Sequence, residues 1–281
     1  MNSTDILIIG VIYNTYPETL RYLDSLANTA SGKFALILVD NSDKVKPPDF
    51  QEKIKSYPFL LYLETGKNTG YFGGAREGLK YYLGEHSTYP RWILVTNVDI
   101  VFTRQFFNQL NQLADTENLG VIAPSIISKK WNTDYNPKIP VRYSRRKLKF
   151  YRFLYSSFLI HNLFLIGAYL KKLILGFKRG KKEVLESPAQ MGRKIYAPHG
   201  SCLVFHSNYF SHGGDLDLPN FLFGEEVFVG ETALRSGLDI VYHPEMVIFD
   251  YEHASTGFFV TPVMNRYYRQ AIISILDHYY H

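Results

Sequence analysis

The segment Trp92-Ile93-Leu94-Val95-Thr96-Asn97-Val98-Asp99-Ile100-Val101 constrains this chain most, because a continuous apolar run closes there on a carboxylate. A run without alternation suits a strand covered on both faces, the usual state of a strand in a parallel sheet. Asp5–Tyr13 and Ala35–Val39 read the same way, and the second closes on Asp40-Asn41-Ser42. Leu60–Leu63 and Gly120–Ala123 are shorter runs of the same kind. Helical spacings fall between them, in Pro17–Ala30, Gly74–Leu83 and Phe106–Ala114. Strands alternating with helices imply right-handed crossovers, and predict an α/β fold with a mostly parallel, Rossmann-like sheet flanked by helices. Beyond residue 194 regular structure resumes over Ile195–Phe205, Phe223–Gly237 and Asp239–Asp250, and Val263–Tyr279 reads as a C-terminal helix.

The 281 residues are 46% apolar and 20% charged, which is a globular composition. The single Cys202 excludes an intramolecular disulfide. Met1–Asp5 lacks a basic segment followed by an apolar one, so no secretory signal is expected. The net charge of +5 hides an asymmetry, since residues 135–182 hold thirteen Lys or Arg and no Asp or Glu. The other residues hold 18 basic and 26 acidic side chains, a net of −8. Such a block meets phosphate, nucleic acid or an anionic membrane face. Three regions follow: 1–128; 129–194, a basic aromatic helical insert; and 195–281, which ends in the C-terminal helix.

In open α/β sheets ligands bind at the carboxyl ends of strands, where Asp40 and Asp99 fall. Each is a candidate site carboxylate, and each also suits a cap or turn. Gly66-Lys67-Asn68-Thr69-Gly70-Tyr71-Phe72-Gly73-Gly74 follows the third strand and opens a helix. Its glycines would let backbone approach an anionic ligand, or simply punctuate a turn. Gly224-Glu225-Glu226 opens another helix, where the acids act either as dipole partners or as a general base. His253 follows the last strand, as a structural residue or a metal ligand.

In series, these motifs resemble family 2 glycosyltransferases of the GT-A fold, particularly the bacterial branch with rhamnosyl- and galactofuranosyltransferases. Tyr13-Asn14 looks like the T-Y-N start of that family. Val39-Asp40-Asn41-Ser42 is similar to V-D-N-x-S, and Asn68–Gly74 to N-x-G-x-x-G-G. Asn97-Val98-Asp99 matches an N-x-D form of the D-x-D metal motif. Gly200-Ser201 resembles the small acceptor-side element, and Phe223-Gly224-Glu225-Glu226 the acidic E-D motif. The resemblance covers residues 5–128 and 195–256, and implies that 1–128 is the nucleotide-sugar-binding half of a GT-A domain and 195–281 its acceptor-side half. Departures from the pattern are Ile12 for Thr, Asn97 for the first Asp, Glu226 for Asp, Phe228 for a further acid and Arg76 for Asn.

The resemblance implies an inverting transferase that moves a sugar from a UDP- or dTDP-sugar to a hydroxyl of a glycan or lipid-linked glycan in bacterial cell-surface polysaccharide synthesis. It implies Glu226, or Glu225, as the base. Asp99 and His253 would hold Mg²⁺ or Mn²⁺. Tyr13, Asp40, Asn68, Gly70, Gly73, Gly74, Arg76 and Asn97 would bind the nucleotide. His199, Gly200 and Ser201 would border the donor sugar or acceptor. The alternatives are a non-catalytic nucleotide-sugar or glycan-binding protein on the same fold, and a nucleotidyltransferase. The second would want a basic, Gly-rich loop near the N-terminus, and Val11–Thr15 is not one.

Residues 153–170 of the insert carry no formal charge and approach the length of a membrane span. Ser156, Ser157, His161 and Asn162 interrupt the run, and spanning would place Asp99 and Glu226 on opposite sides of a bilayer. Leu159, Leu163, Ile166, Leu170, Ile174 and Phe177 form a helical stripe flanked by lysines and arginines, the pattern of an interfacial helix. That pattern suits an anionic membrane better than nucleic acid, and no nucleic-acid partner is expected. A helical pair packed on the sheet, or a homodimer through residues 150–177 or the C-terminal helix, is the competing reading. The expected location is cytoplasmic, with peripheral attachment to the inner face of the plasma membrane as the variant the insert suggests.

Overall fold

A computed structural model describes residues 5–176, 192–251 and 259–280, with side chains omitted over 172–176. In chain order the elements are β1 (Ile6–Ile12), α1 (Tyr16–Thr29), β2 (Phe34–Asp40), α2 (Pro48–Ile54), β3 (Leu60–Glu64) and α3 (Tyr71–Glu85). Next come β4 (Trp92–Asn97), β5 (Ile100–Phe102), α4 (Arg104–Gln112), β6 (Leu119–Ser128), α5 (Arg145–Leu154) and α6 (Phe158–Gly176). The chain continues through β7 (Arg193–Ile195), β8 (Cys202–His206), α7 (Ser207–Ser211), α8 (Glu225–Arg235), β9 (Asp239–Asp250) and α9 (Pro262–Tyr279).

The described strands form one sheet in the order β3-β2-β1-β4-β8-β6-β9-β5, with β7 also paired to β9. The continuous apolar runs are covered on both faces. From β1, Ile6, Ile8 and Ile12 join one core with Tyr22, Leu26, Phe106 and Phe107. Leu7, Ile9 and Val11 point the other way, into a core with Phe72, Leu79, Phe228 and Val229. Strands β3, β2, β1 and β4 run parallel, as do β6 and β9. Strand β8 lies antiparallel to both β4 and β6 and joins the two halves. Its reversal brings Ser201, just before its first residue, to the edge where β4 ends, with Thr96 opposite Cys202.

Helix α3 sits unusually close to the sheet. A Cβ at Gly74 would stand 2.8 Å from Asn41 Nδ2, and one at Gly78 would stand 2.8 Å from Ile9 Cγ2. Gly74 therefore serves helix–sheet packing. Gly70, at φ +80°, turns the chain into α3 beneath the Phe221 carbonyl, where a Cβ would be 2.1 Å from that oxygen.

Residues 193–195 pair with β9, so the sheet takes back the last residues assigned to the 129–194 insert. Among the insert's described residues, Leu148 of α5 packs with Val227 of α8 and with Ile272, Ile275 and Leu276 of α9 in a third core. Arg142 fixes the approach to α5 by a two-pronged ion pair with the buried Glu231, at 2.7 and 3.0 Å, and Tyr196 donates a further 2.6 Å bond to that carboxylate.

Candidate active site

The parallel strands end at one edge of the sheet, so Tyr13, Asp40 and Asn97 are delivered to the same side. Asn14, at φ +60°, bends the chain after β1 and clamps the neighbouring loop. Its Nδ2 donates to Asp43 Oδ1 at 2.7 Å, and the Tyr13 hydroxyl donates to Asp43 Oδ2 at 3.2 Å. Asp40 is buried and already engaged: Oδ1 accepts from the Ser42 amide at 2.8 Å and Oδ2 from the Tyr62 hydroxyl. Asn41 beside it donates to the Gly70 carbonyl at 2.8 Å and accepts from Thr65 and Thr69. Asn68 Oδ1 accepts from the Gly70 amide at 2.9 Å, an Asx-type turn that presents the loop at the start of α3. Arg76, on α3, pairs with Asp217.

The loop before β8 ties the end of β4 to the start of α3. The Asn97 amide donates to the Ser201 carbonyl at 2.9 Å. The Tyr71 hydroxyl donates to the Gly200 carbonyl at 2.8 Å. A Cβ at Gly200 would stand 3.5 Å from Glu226 Oε1, so the two residues lie side by side. His199 stacks on Tyr135 at 5.0 Å and accepts from the Ser201 amide through Nδ1 at 3.2 Å. Burial, aided by Lys138, pushes its imidazole down to about 3. His199 is therefore neutral at working pH and shapes the loop without adding charge.

Glu225 and Glu226 open α8 behind Phe223 and Gly224, both at positive φ. Gly224 fits against Ile275 and Ala271 of α9. Glu225 is buried and accepts from the Phe223 amide at 3.0 Å. Burial first, then the charge of Glu226, raises it to about 8. A helix N-terminus returns about 0.3–1 kcal/mol to an anion, whereas burying a charge costs several kcal/mol, so Glu225 keeps its proton near neutrality. The rings of Tyr143 and Tyr268 lie within electrostatic reach of Glu226, and Tyr268 stacks on Phe223 at 3.8 Å.

The raised Glu225 carries a stability signature. The folded chain holds a proton that an unfolded glutamate releases from about pH 4.3, so stability falls as pH rises from there towards about 8. Glu225→Gln should flatten the fall in Tm over that window and exceed the wild type above it, with the two proteins alike near pH 5. Thermal melts across pH measure this. Parallel slopes for the two proteins would remove the assignment.

Asp99 lies between β4 and β5, and its carbonyl accepts from the Tyr251 amide at 3.1 Å. Ile100 pairs with Asp250, and the Ser201 hydroxyl donates to Asp250 Oδ2 at 3.3 Å. Asp250 is thus a buried carboxylate at the same edge that the sequence reading left out of the site. Its signal was present, as the acid closing a strand, in the same form as Asp40 and Asp99. His253 lies outside the described residues. Among those described, no three His, Cys, Asp or Glu converge as a metal cage. Mg²⁺ and Mn²⁺ at nucleotide sites need only one or two carboxylates besides the substrate phosphates, and the oxygen donors at this edge fit that requirement.

This arrangement is the GT-A fold of glycosyltransferases. Glycosyl transferase family 2 matches residues 7–172, and the chain belongs to that family. It is 24% identical over 236 residues to a low-salt glycan biosynthesis hexosyltransferase of Haloferax volcanii, covering 84% of this chain and 64% of that protein. It is also 24% identical over 265 residues to the N-acetylglucosaminyl-diphospho-decaprenol L-rhamnosyltransferase of Mycobacterium tuberculosis, covering 90% of this chain and 78% of that protein. Among solved structures, S. aureus TarS 1-349 in complex with UDP-GlcNAc superposes with a TM-score of 0.58 at 11% identity, over 98% of this chain and 67% of that one. The mannosyltransferase of Pyrobaculum calidifontis in complex with GDP-Man and Mn²⁺ superposes with a TM-score of 0.52 at 15% identity, over 92% of this chain and 59% of that one.

Proposed function

We propose that this glycosyltransferase moves a hexosyl or deoxyhexosyl group from a UDP- or dTDP-sugar to a hydroxyl of a lipid-linked glycan, inverting the anomeric centre, in cell-surface polysaccharide synthesis. The observation that carries this reading is Glu226, placed opposite side-chain-free Gly200 at the sheet edge where Asn97 and Tyr71 anchor the same loop. In this reading the acceptor hydroxyl attacks the anomeric carbon while Glu226 takes its proton. The bond from that carbon to the diphosphate oxygen breaks, and the nucleoside diphosphate leaves. Glu225, protonated and held by the Phe223 amide, keeps a second negative charge out of the pocket. Asp99, with His253, would hold a Mg²⁺ or Mn²⁺ ion, which supplies charge compensation for the leaving diphosphate. Tyr13, Asn68 and the Gly70–Gly73 turn border the nucleotide, and Asp40 fixes the loop beneath it through Ser42 and Tyr62.

The test is a panel of UDP-, dTDP- and GDP-sugars with Mn²⁺. A UDP- or dTDP-sugar at 100 times its Kd should stabilise the fold by about 2.7 kcal/mol. With a lipid-diphosphate N-acetylhexosamine acceptor, that donor should release its nucleoside diphosphate and give a product of opposite anomeric configuration. Retained configuration, or pyrophosphate release from a nucleoside triphosphate, would overturn the reading.

A further inference from the structure

The described part of the insert is amphipathic in the reverse of the usual sense. Two polar residues of α6, His161 and Asn162, face inward. The His161 ring, buried against Tyr155 and Tyr268, meets Asn265 Oδ1 of α9 at 2.9 Å. Asn162 exchanges two bonds with the Val260 backbone, donating at 2.9 Å and accepting at 2.8 Å. These ties hold the first turns of α6 on the domain, and its apolar side chains stand outward, with Leu159 60%, Leu163 68% and Leu170 51% exposed. Phe150 and Phe153 of α5 continue the patch, and Phe150 meets Phe164 of α6 at 6.1 Å. Ile174 and Phe177 of the stripe fall among residues whose side chains lie outside the description. Among the described residues no single helix is long and apolar enough to cross a membrane, and α5 and α6 bend by 111° where they meet.

An exposed apolar patch of this kind marks an interaction surface. Its rim identifies the partner. Lys147, Lys149, Arg152 and Lys171 are exposed around it, and no acid occurs anywhere from residue 135 to 182. A second copy of this face would set those charges against their like. An anionic lipid surface would take both the charges and the apolar side chains.

We propose that the outer face of α5 and α6 docks on an anionic lipid monolayer and aims the acceptor side of the site at it. Ring contacts lead inward from this face. Phe150 touches Tyr151, Tyr151 stacks with Tyr155, Tyr155 meets Tyr268, and Tyr268 stacks on Phe223 beside the Glu225–Glu226 pair. The aiming half of the inference rests on the proposed lipid-linked acceptor, whereas the docking half does not.

Vesicle flotation of the full chain tests the docking. The protein should float with phosphatidylcholine vesicles containing about 30% phosphatidylglycerol and should be released by high salt. Neutralising Lys149 or Arg152 should weaken partitioning about fivefold each. Phe153→Asp with Leu163→Asp should weaken it at least about tenfold. Both side chains are exposed, so Tm and donor-induced stabilisation should stay unchanged. No flotation, equal salt-insensitive flotation with pure phosphatidylcholine, or a dimer that the double substitution dissociates without any vesicle binding would each overturn the proposal. Flotation without sugar transfer would sink the transfer reading instead, and transfer without flotation would sink the docking.

Discussion

Asp99→Asn should lower kcat/KM for the sugar donor by about 10³, because charge compensation at a leaving diphosphate is worth several kcal/mol and about 4 kcal/mol is a thousandfold. The substitution keeps shape and removes only charge. The backbone of Asp99 is held independently through its carbonyl, by the Tyr251 amide. Folding should therefore survive, with Tm within a few degrees of the wild type. Donor-induced stabilisation in the presence of Mn²⁺ should shrink towards that seen without the ion. Activity above about a tenth of the wild type would take Asp99 out of the role. Asp43→Asn is the informative control. That carboxylate also lies at the carboxyl edge, but Asn14 and Tyr13 occupy it and Asn14 holds it below the usual carboxylate range. Its loss should loosen the loops after β1 and β2 and raise KM while leaving kcat largely intact.

Some of this architecture could be read from the chain and some could not, for identifiable physical reasons. β1, β2 and β4 announce themselves because both faces are buried, leaving no polar alternation to confuse them. β9 is legible from Asp239 to Asp250, its full length in the structure. α2 was missed, being seven residues with only Phe50 buried, too short for a periodic signal. Ile195–Phe205 read as one regular stretch, but it contains the end of β7, a loop and most of β8. Apolar periodicity carries no strand direction, so the antiparallel β8 was invisible, and with it the placement of Ser201 beside Asn97. The α6 stripe was legible as a stripe. Its orientation depends on His161 meeting Asn265, 104 residues away, and local spacing contains nothing of that. The candidate residues could be placed on separate strand and helix ends, but not against one another. Arg76 shows where such reading stops, because its partner Asp217 lies 141 residues along the chain.

Glu226→Gln should lower kcat by about 10²–10⁴, the usual contribution of a positioned general base, while leaving KM for the donor within a few-fold. The glutamine keeps the volume opposite Gly200 but cannot take a proton. Glu225→Gln separates the two acids. Burial and the Glu226 charge keep Glu225 protonated near neutrality, so a neutral amide there imitates the working state and should cost less than tenfold in kcat. If the losses are exchanged between the two variants, the base is Glu225. The double variant Asp99→Asn with Glu226→Gln sharpens the assignment further. Both groups would act on one transition state, one at the leaving oxygen and one at the attacking oxygen. Their combined loss should therefore fall short of the product of the single losses. Strict additivity would mean that the two carboxylates act on the transition state without coupling to each other.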